Sequence, residues 1–220
     1  MKKKMHLFVI LLVSLVSVFA QEEDFFMEED YSMDVDYPLN PAYEDINLDK
    51  ENEMIQNLYS EDKKLVDKSI KKAIKDLDEY NPCVLYVLSN VYFEKNKDKA
   101  AQIFYIGQLR ARIDANLCED ISAREAVSVL NEEFGPLING YTLKDPRKLK
   151  KIVESAIDYV KKHDVNYDRR WINLYGMTAF YDTGDKPTTA PEEKWKEITE
   201  STIENYDTTF HDYLKTMEKK

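Results

Sequence analysis

Two dipeptides constrain this chain most. Asn81-Pro82 and Asp145-Pro146 each put a side-chain acceptor at a helix N-cap and a proline at the first helical position, directly before an apolar stretch. Behind Pro146, Leu149, Ile152, Val153, Ala156, Ile157 and Val160 recur at three- and four-residue steps, the period of an amphipathic helix ending near His163. Behind Pro82, residues 83–93 are apolar almost all round, so that helix is expected at the buried centre of the domain. The same period links Leu65, Val66, Ile70, Ala73, Ile74 and Leu77, with Ser60 placed to cap them. Ser122-Ala123-Arg124-Glu125 matches a capping box ahead of Ala126, Val127, Leu130 and Phe134, and Gly135-Pro136 reads as that helix's stop. After a loop at 183–190, Trp195, Ile198, Ile203, Tyr206, Phe210, Tyr213, Leu214 and Met217 mark a long last helix; residues 167–182 carry no clear period. With five glycines in 220 residues and no alternating β-branched run between turn dipeptides, a sheet has little room. The expected fold is all-α, one compact domain of about seven helices over residues 51–220.

The N-terminus reads differently. Lys2, Lys3 and Lys4 precede an apolar run of 14 residues, Leu7 to Ala20, broken only by Ser14 and Ser17, and Gln21-Glu22-Glu23-Asp24 follows at once. The run is shorter than the roughly 20 residues a bilayer-spanning helix needs, and Val18-Phe19-Ala20 is a small-x-small cleavage pattern. Residues 1–20 are therefore expected to be a secretory signal peptide cleaved after Ala20, the alternative being an uncleaved anchor. No cysteine stands near the cut for lipid attachment. The mature protein is expected to be soluble in the periplasm or secreted.

Residues 21–50 hold eleven acidic residues against Lys50 alone, interleaved with Phe25, Phe26, Met27, Tyr31, Met33 and Tyr37 without a helical or strand period. This segment is expected to be a disordered acidic leader, either a solubilising spacer or a partner-binding stretch. The full chain has a formal net charge of −11, and loss of Lys2, Lys3 and Lys4 makes it −14, which disfavours nucleic acid and anionic lipid as partners.

Chemical motifs are sparse. Cys83 and Cys118 are the two cysteines, and in an exported chain an even number allows a disulfide. If they lie on adjacent antiparallel helices, the second helix would have to unwind near Asn116 for the bridge to close; bridge and free thiols both remain open. Past residue 20 the histidines are His163 and His211, with no partner at metal-ligand spacing, and His163 suits a helix C-terminus. No Gly-rich phosphate loop or nucleophile motif is present, so neither metal nor cofactor is expected.

Within residues 97–117, Ile103, Ile106, Ile113 and Leu117 share a stripe in which Arg110 occupies an apolar position, with Asp114 one turn on. Either Arg110 is buried and paired with Asp114 or with a carboxylate from another helix, or it lines a cleft with Gln108 and Arg112 and offers planar donors to a carboxylate-bearing ligand. Gly107 would admit a close neighbour, helix or ligand. Trp171, Tyr175, Phe180 and Tyr181 form either core or a stacking surface.

Residues 85–105 resemble one tetratricopeptide-type helical hairpin, carried by Leu85, Leu88, Ser89, Tyr92, Ala101 and Tyr105. Separately, the segment Phe104 to Arg112 (FYIGQLRAR) with the later Gly135-Pro136-Leu137-Ile138-Asn139-Gly140-Tyr141 resembles an uncharacterised bacterial family of helical proteins with a G-Q-L-R-x-R core. That resemblance implies a shared fold without an activity, and singles out Gln108, Arg110, Arg112 and Asn139 as candidate ligand- or partner-binding residues. The expected role is an exported, non-enzymatic binding or adaptor module acting through contacts with another protein. Two alternatives are a periplasmic immunity-type inhibitor of a toxin and an enzyme with a dispersed site around Arg110. N-terminal sequencing of the protein from its native host should begin at Gln21; an intact Met1 on membrane-bound material would show an uncleaved anchor instead.

Overall fold

Asn81 and Asp145 cap the helices that follow them. The Asn81 side chain accepts from the Val84 amide at 3.4 Å, and Asp145 accepts from the amides of Arg147 and Lys148 at 3.0 and 3.2 Å. In the computed structural model, which describes residues 40–181, 184 and 186–217, the fold is all-α. Among the described residues the α-helices are α1 (Asp49–Leu58), α2 (Lys63–Lys75), α3 (Pro82–Tyr92), α4 (Lys97–Leu117), α5 (Glu125–Thr142), α6 (Pro146–Lys162) and α7 (Glu192–Met217). Short 3-10 segments lie at Pro41–Tyr43, Leu77–Glu79, Ile121–Arg124, Arg169–Tyr175 and Met177–Phe180. Cys118 and Thr189 form an isolated antiparallel bridge, and no strand occurs among the described residues.

The centre of the domain is α4 rather than α3. Residues Pro82 to Ser89 of α3 are buried without a break, yet it is α4 that packs against α3, α5, α6 and α7 together. The long-range reason is Gly107. A Cβ there would sit 3.1 Å from Leu85 Cβ and 3.7 Å from the Pro82 carbonyl oxygen, so its absence lets α3 and α4 approach closely. The neighbour that Gly107 admits is therefore a helix. With helices on most of its sides, α4 buries Arg110 and Asp114 as well as its apolar residues, and its sequence loses the clean stripe of a surface helix.

Several local expectations need correction. Asp62, not Ser60, caps α2, accepting from the Lys64 and Leu65 amides, while Ser60 Oγ accepts from the Asp62 amide. Asp120 caps the 3-10 segment Ile121–Arg124, so Ser122-x-x-Glu125 is not a capping box; the Asp120 carboxylate instead accepts from the Ser122 amide and hydroxyl. Gly135-Pro136 does not stop α5, which runs on to Thr142. Pro136 deprives the Glu132 carbonyl of its helical partner, but both residues are exposed and water can satisfy that oxygen. The helix is held on both sides of the proline because Leu130, Phe134, Ile138 and Thr142 continue one buried face through it.

The acidic leader ends earlier than residue 50. Asn40 donates its amide to the Ala179 carbonyl at 2.9 Å, the Tyr43 hydroxyl bonds Thr178 at 2.7 Å, and Asp45 pairs with Arg170 at 2.9 Å. These contacts tie residues 40–45 to the 3-10 segments 169–180. The signal peptide 1–20 and residues 21–39 of the leader lie outside the described residues.

Cys83 and Cys118 are both free and buried, so the bridge is not formed. Gly107 faces the start of α3, and from that level α4 climbs about 16 Å to Cys118 at roughly 1.5 Å per residue, far beyond the roughly 7 Å a disulfide allows. The helix keeps its form to Leu117, and Cys118 then leaves in extended geometry; the Ala190 amide donates to the Leu117 carbonyl and the Glu119 amide to the Thr188 carbonyl. Burial raises both thiols, Cys118 to about 11, and Cys83 lies in a hydrogen bond with Tyr175. Denatured, unreduced protein should titrate two thiols with Ellman's reagent, and the native protein should react slowly if at all. A value of zero under denaturing conditions would contradict the arrangement.

Candidate functional site

Arg110 lies at the heart of α4. It is 1% exposed. Its guanidinium donates to the Leu77 carbonyl at 3.0 Å and to Asp78 Oδ1 at 2.5 Å, with the Tyr159 ring 5.5 Å away; Asp78 also accepts from the Tyr159 hydroxyl at 3.0 Å. Arg110 is thus paired with a carboxylate from another element, not with Asp114, and it takes no part in a cleft. An enzymatic site built around it has no solvent-facing guanidinium to use. The Nε–H of Arg110 has no acceptor among the described residues.

Asp114 serves a different group of partners. Its carboxylate accepts from the Tyr167 hydroxyl at 2.9 Å and from Trp171 Nε1 at 2.8 Å, and pairs with Arg169 at 3.3 Å. Burial pushes Asp114 up to about 6, against the pull of Arg169, Trp171 and Tyr167 toward ionisation. This cluster fixes residues 167–171, which the sequence left without a period. Trp171 is core, edge-on to Tyr175 at 5.7 Å, while Phe180 and Tyr181 are exposed, so the four aromatics do not form one surface. His163 is the C-cap residue of α6, stacked on Tyr159 at 4.0 Å, and its Nδ1 bonds the Tyr159 carbonyl.

The opposite face of α4 opens on a cleft of about 730 Å³. Tyr105, Gln108, Arg112, Ala115 and Asn116 recur at three- and four-residue steps along α4 and line one side. Helix α5 contributes Val127, Ser128, Asn131 and Asn139, and α7 contributes Thr202, Asn205, Tyr206, Thr209, Phe210 and Tyr213. Arg124 enters from the 3-10 segment ahead of α5. Gln108, Arg112 and Asn139 are therefore brought together, and Arg110, about 200° around the helix from Arg112 at about 100° per residue, is excluded.

Gln108 joins both walls. Its Nε2 donates to Asn131 Oδ1 at 2.8 Å, and its Oε1 accepts from the Tyr206 hydroxyl at 2.6 Å. Asn131 Oδ1 also accepts from the Tyr86 hydroxyl at 2.8 Å, and Asn139 Oδ1 accepts from the Tyr105 hydroxyl at 3.2 Å. Burial raises Tyr206, Tyr105 and Tyr86, which keeps each hydroxyl protonated as a donor. Gln108 is accordingly a positioning residue whose two ends are both engaged. Asn116 Nδ2 donates to Thr202 Oγ1 at 2.9 Å and ties α7 to α4 a second time.

No aspartate, glutamate, histidine or cysteine lines the cleft, and no group of three or more such side chains suited to a metal ion occurs among the described residues. The lining presents hydrogen-bond donors and aromatic faces. Arg124, Asn131 and the α7 residues were missed as site residues. The available signal was that Thr202, Tyr206, Thr209 and Tyr213 put polar-tipped side chains at helical steps where a wholly buried stripe would be aliphatic. No family model, curated protein or solved structure matches this chain.

The internal role of Arg110 predicts an asymmetry. Asp78→Ala, which strands a buried guanidinium, should lower the unfolding free energy by about 2 kcal/mol, whereas Arg110→Met should stay within about 1 kcal/mol of the parent because the arginine stem is replaced by apolar volume. Urea denaturation of both variants measures this. Equal losses would show that the pair itself, rather than the burial of its charge, carries the stability.

Proposed function

We propose that this chain is a non-enzymatic binding or adaptor module that engages a partner protein through the cleft between α4, α5 and α7. The observation that supports the reading is the assembly of Gln108 and Arg112 from α4 with Asn139 from α5 on one open cavity whose polar walls are oriented by internal hydrogen bonds. A volume of about 730 Å³ suits a short inserted segment, and clefts of roughly 300–1,000 Å³ are the usual size for ligand recognition. The side-chain carbonyls of Gln108, Asn131 and Asn139 are already used within the protein, so these parts of the walls keep their shape when empty, and less ordering is required on binding. Export to the periplasm or the medium, with the acidic leader as spacer or second contact, belongs to the same proposal.

A photo-crosslinking amino acid placed at Asn205, an exposed residue of the cleft wall, tests it in the native host. Irradiation should give a discrete protein adduct from position 205 and none from Lys68, which is exposed on α2 away from the cleft. Equal yields at the two positions, or no adduct at 205, would remove the cleft as a protein-binding site.

A further inference from the structure

We infer that the cleft accepts an acidic peptide segment, with carboxylates held by Arg112 and Arg124 and the intervening residues lying along the aromatic α7 wall. The inference rests on the cleft being the binding site and goes on to name the chemistry of its occupant.

The chain carries 42 acidic residues against 31 basic ones, yet not one carboxylate lines this cavity, while two arginines do. Neither Arg112 nor Arg124 has an ion pair among the described residues, nor does Arg147 away from the cleft, whereas Arg110 and Arg169 each have one and Arg170 two. Arg112 is exposed and its guanidinium carbon lies 5.8 Å from the centre of the Tyr206 ring, a cation–π contact that leaves its N–H groups without a carboxylate partner. Its planar fork matches a carboxylate, which accepts two parallel hydrogen bonds from it.

Asn131 and Asn139 each spend their carbonyl oxygen on tyrosine or glutamine donors, so what each has left is its NH₂ group, which has no acceptor among the described residues. On the α5 wall the cavity thus offers amide N–H groups, to which the two arginines add theirs, while Asn116, with its Nδ2 given to Thr202, keeps its oxygen as an acceptor. A peptide supplies the complement: backbone carbonyls for the amides, carboxylates for the arginines, and apolar side chains for Phe210 and Tyr213. A nucleic acid does not fit as well, since two cations on a strongly acidic protein cannot offset a continuous phosphate backbone.

A random dodecapeptide phage library selected on the immobilised protein, with depletion on Asn205→Trp, tests this directly, because the tryptophan fills the mouth of the cleft. Clones that need an open cleft should contain Asp and Glu in excess over the unselected library. Loss of one charged hydrogen-bond pair costs about tenfold or more in affinity, so the Arg112→Met/Arg124→Met double variant should bind those clones roughly 100-fold more weakly. Both arginines are exposed, and an unchanged melting temperature of the double variant verifies that the fold is intact. Capture should also weaken as salt is raised. Cleft-dependent clones without an acidic excess, or acidic clones indifferent to both arginines, overturn the acidic occupant and leave the cleft as a binding site. A library that yields no cleft-dependent clone overturns both.

Discussion

The architecture depends on how a central helix with charged residues on it is made tolerable. Helix α4 is surrounded by four others, and a guanidinium or carboxylate without partners there would cost several kcal/mol. Arg110 and Asp114 sit one turn apart, close enough to serve each other, yet each is satisfied from outside the helix. Arg110 takes Asp78 and the Leu77 carbonyl from the turn before α3, and Asp114 takes Tyr167, Arg169 and Trp171 from the turns after α6. The two charges therefore act as anchor points for the least regular parts of the chain. These irregular segments are placed both by buried side chains such as Leu77, Trp171 and Ile172 and by polar contacts whose absence would strand a buried charge.

This division of α4 into faces also produces the cleft. One side of the helix is closed by the Gly107 contact with α3, another by the Arg110 and Asp114 networks, and the remaining side faces α5 and α7. Helix α7 is 26 residues long but buries only Thr202, Ile203 and Leu214, so it lies across the domain instead of sinking into it. Hydrogen bonds from Tyr206 to Gln108 and from Asn116 to Thr202 hold it where side-chain packing is thin. A helix held by polar links at separate points leaves space between them, and that space is lined by the groups left over from the links.

Much of the fold was legible because its signals are local. Asn81 and Asp145 cap, and Pro82 and Pro146 start, the helices they were expected to, since a cap needs only the amides of the next three residues. Errors arose where two local rules competed. Ser60 and Asp62 both precede α2, and the carboxylate took the cap while the serine moved one step out to bond the Asp62 amide. Gly135-Pro136 has the composition of a stop, but Ile138 and Thr142 prolong the buried face beyond it, and burial outweighed the one missing hydrogen bond. The candidate site was legible in part. The structure places Gln108, Arg112 and Asn139 on one cleft, while Arg110, for which a buried pair and a cleft position both stood open, is buried and paired with Asp78: a polar residue on an apolar stripe looks the same in sequence whether it faces a cavity or a buried partner.

What the sequence determined by itself was the all-α class, most helix boundaries, and the unusual polarity of residues 107–114, all of which follow from caps, period and residue type within a few turns. What only the tertiary structure decided was pairing across the fold: which carboxylate meets Arg110, why Cys83 and Cys118 stay apart, and which side of α4 remains open. These depend on how helices distant in sequence are stacked, and that stacking is set by close contacts such as Leu85 against Gly107 rather than by any local pattern. A helical period specifies that a face will be covered. Which element covers it, and where the covering stops, is settled by the summed fit of the four helices packed against α4.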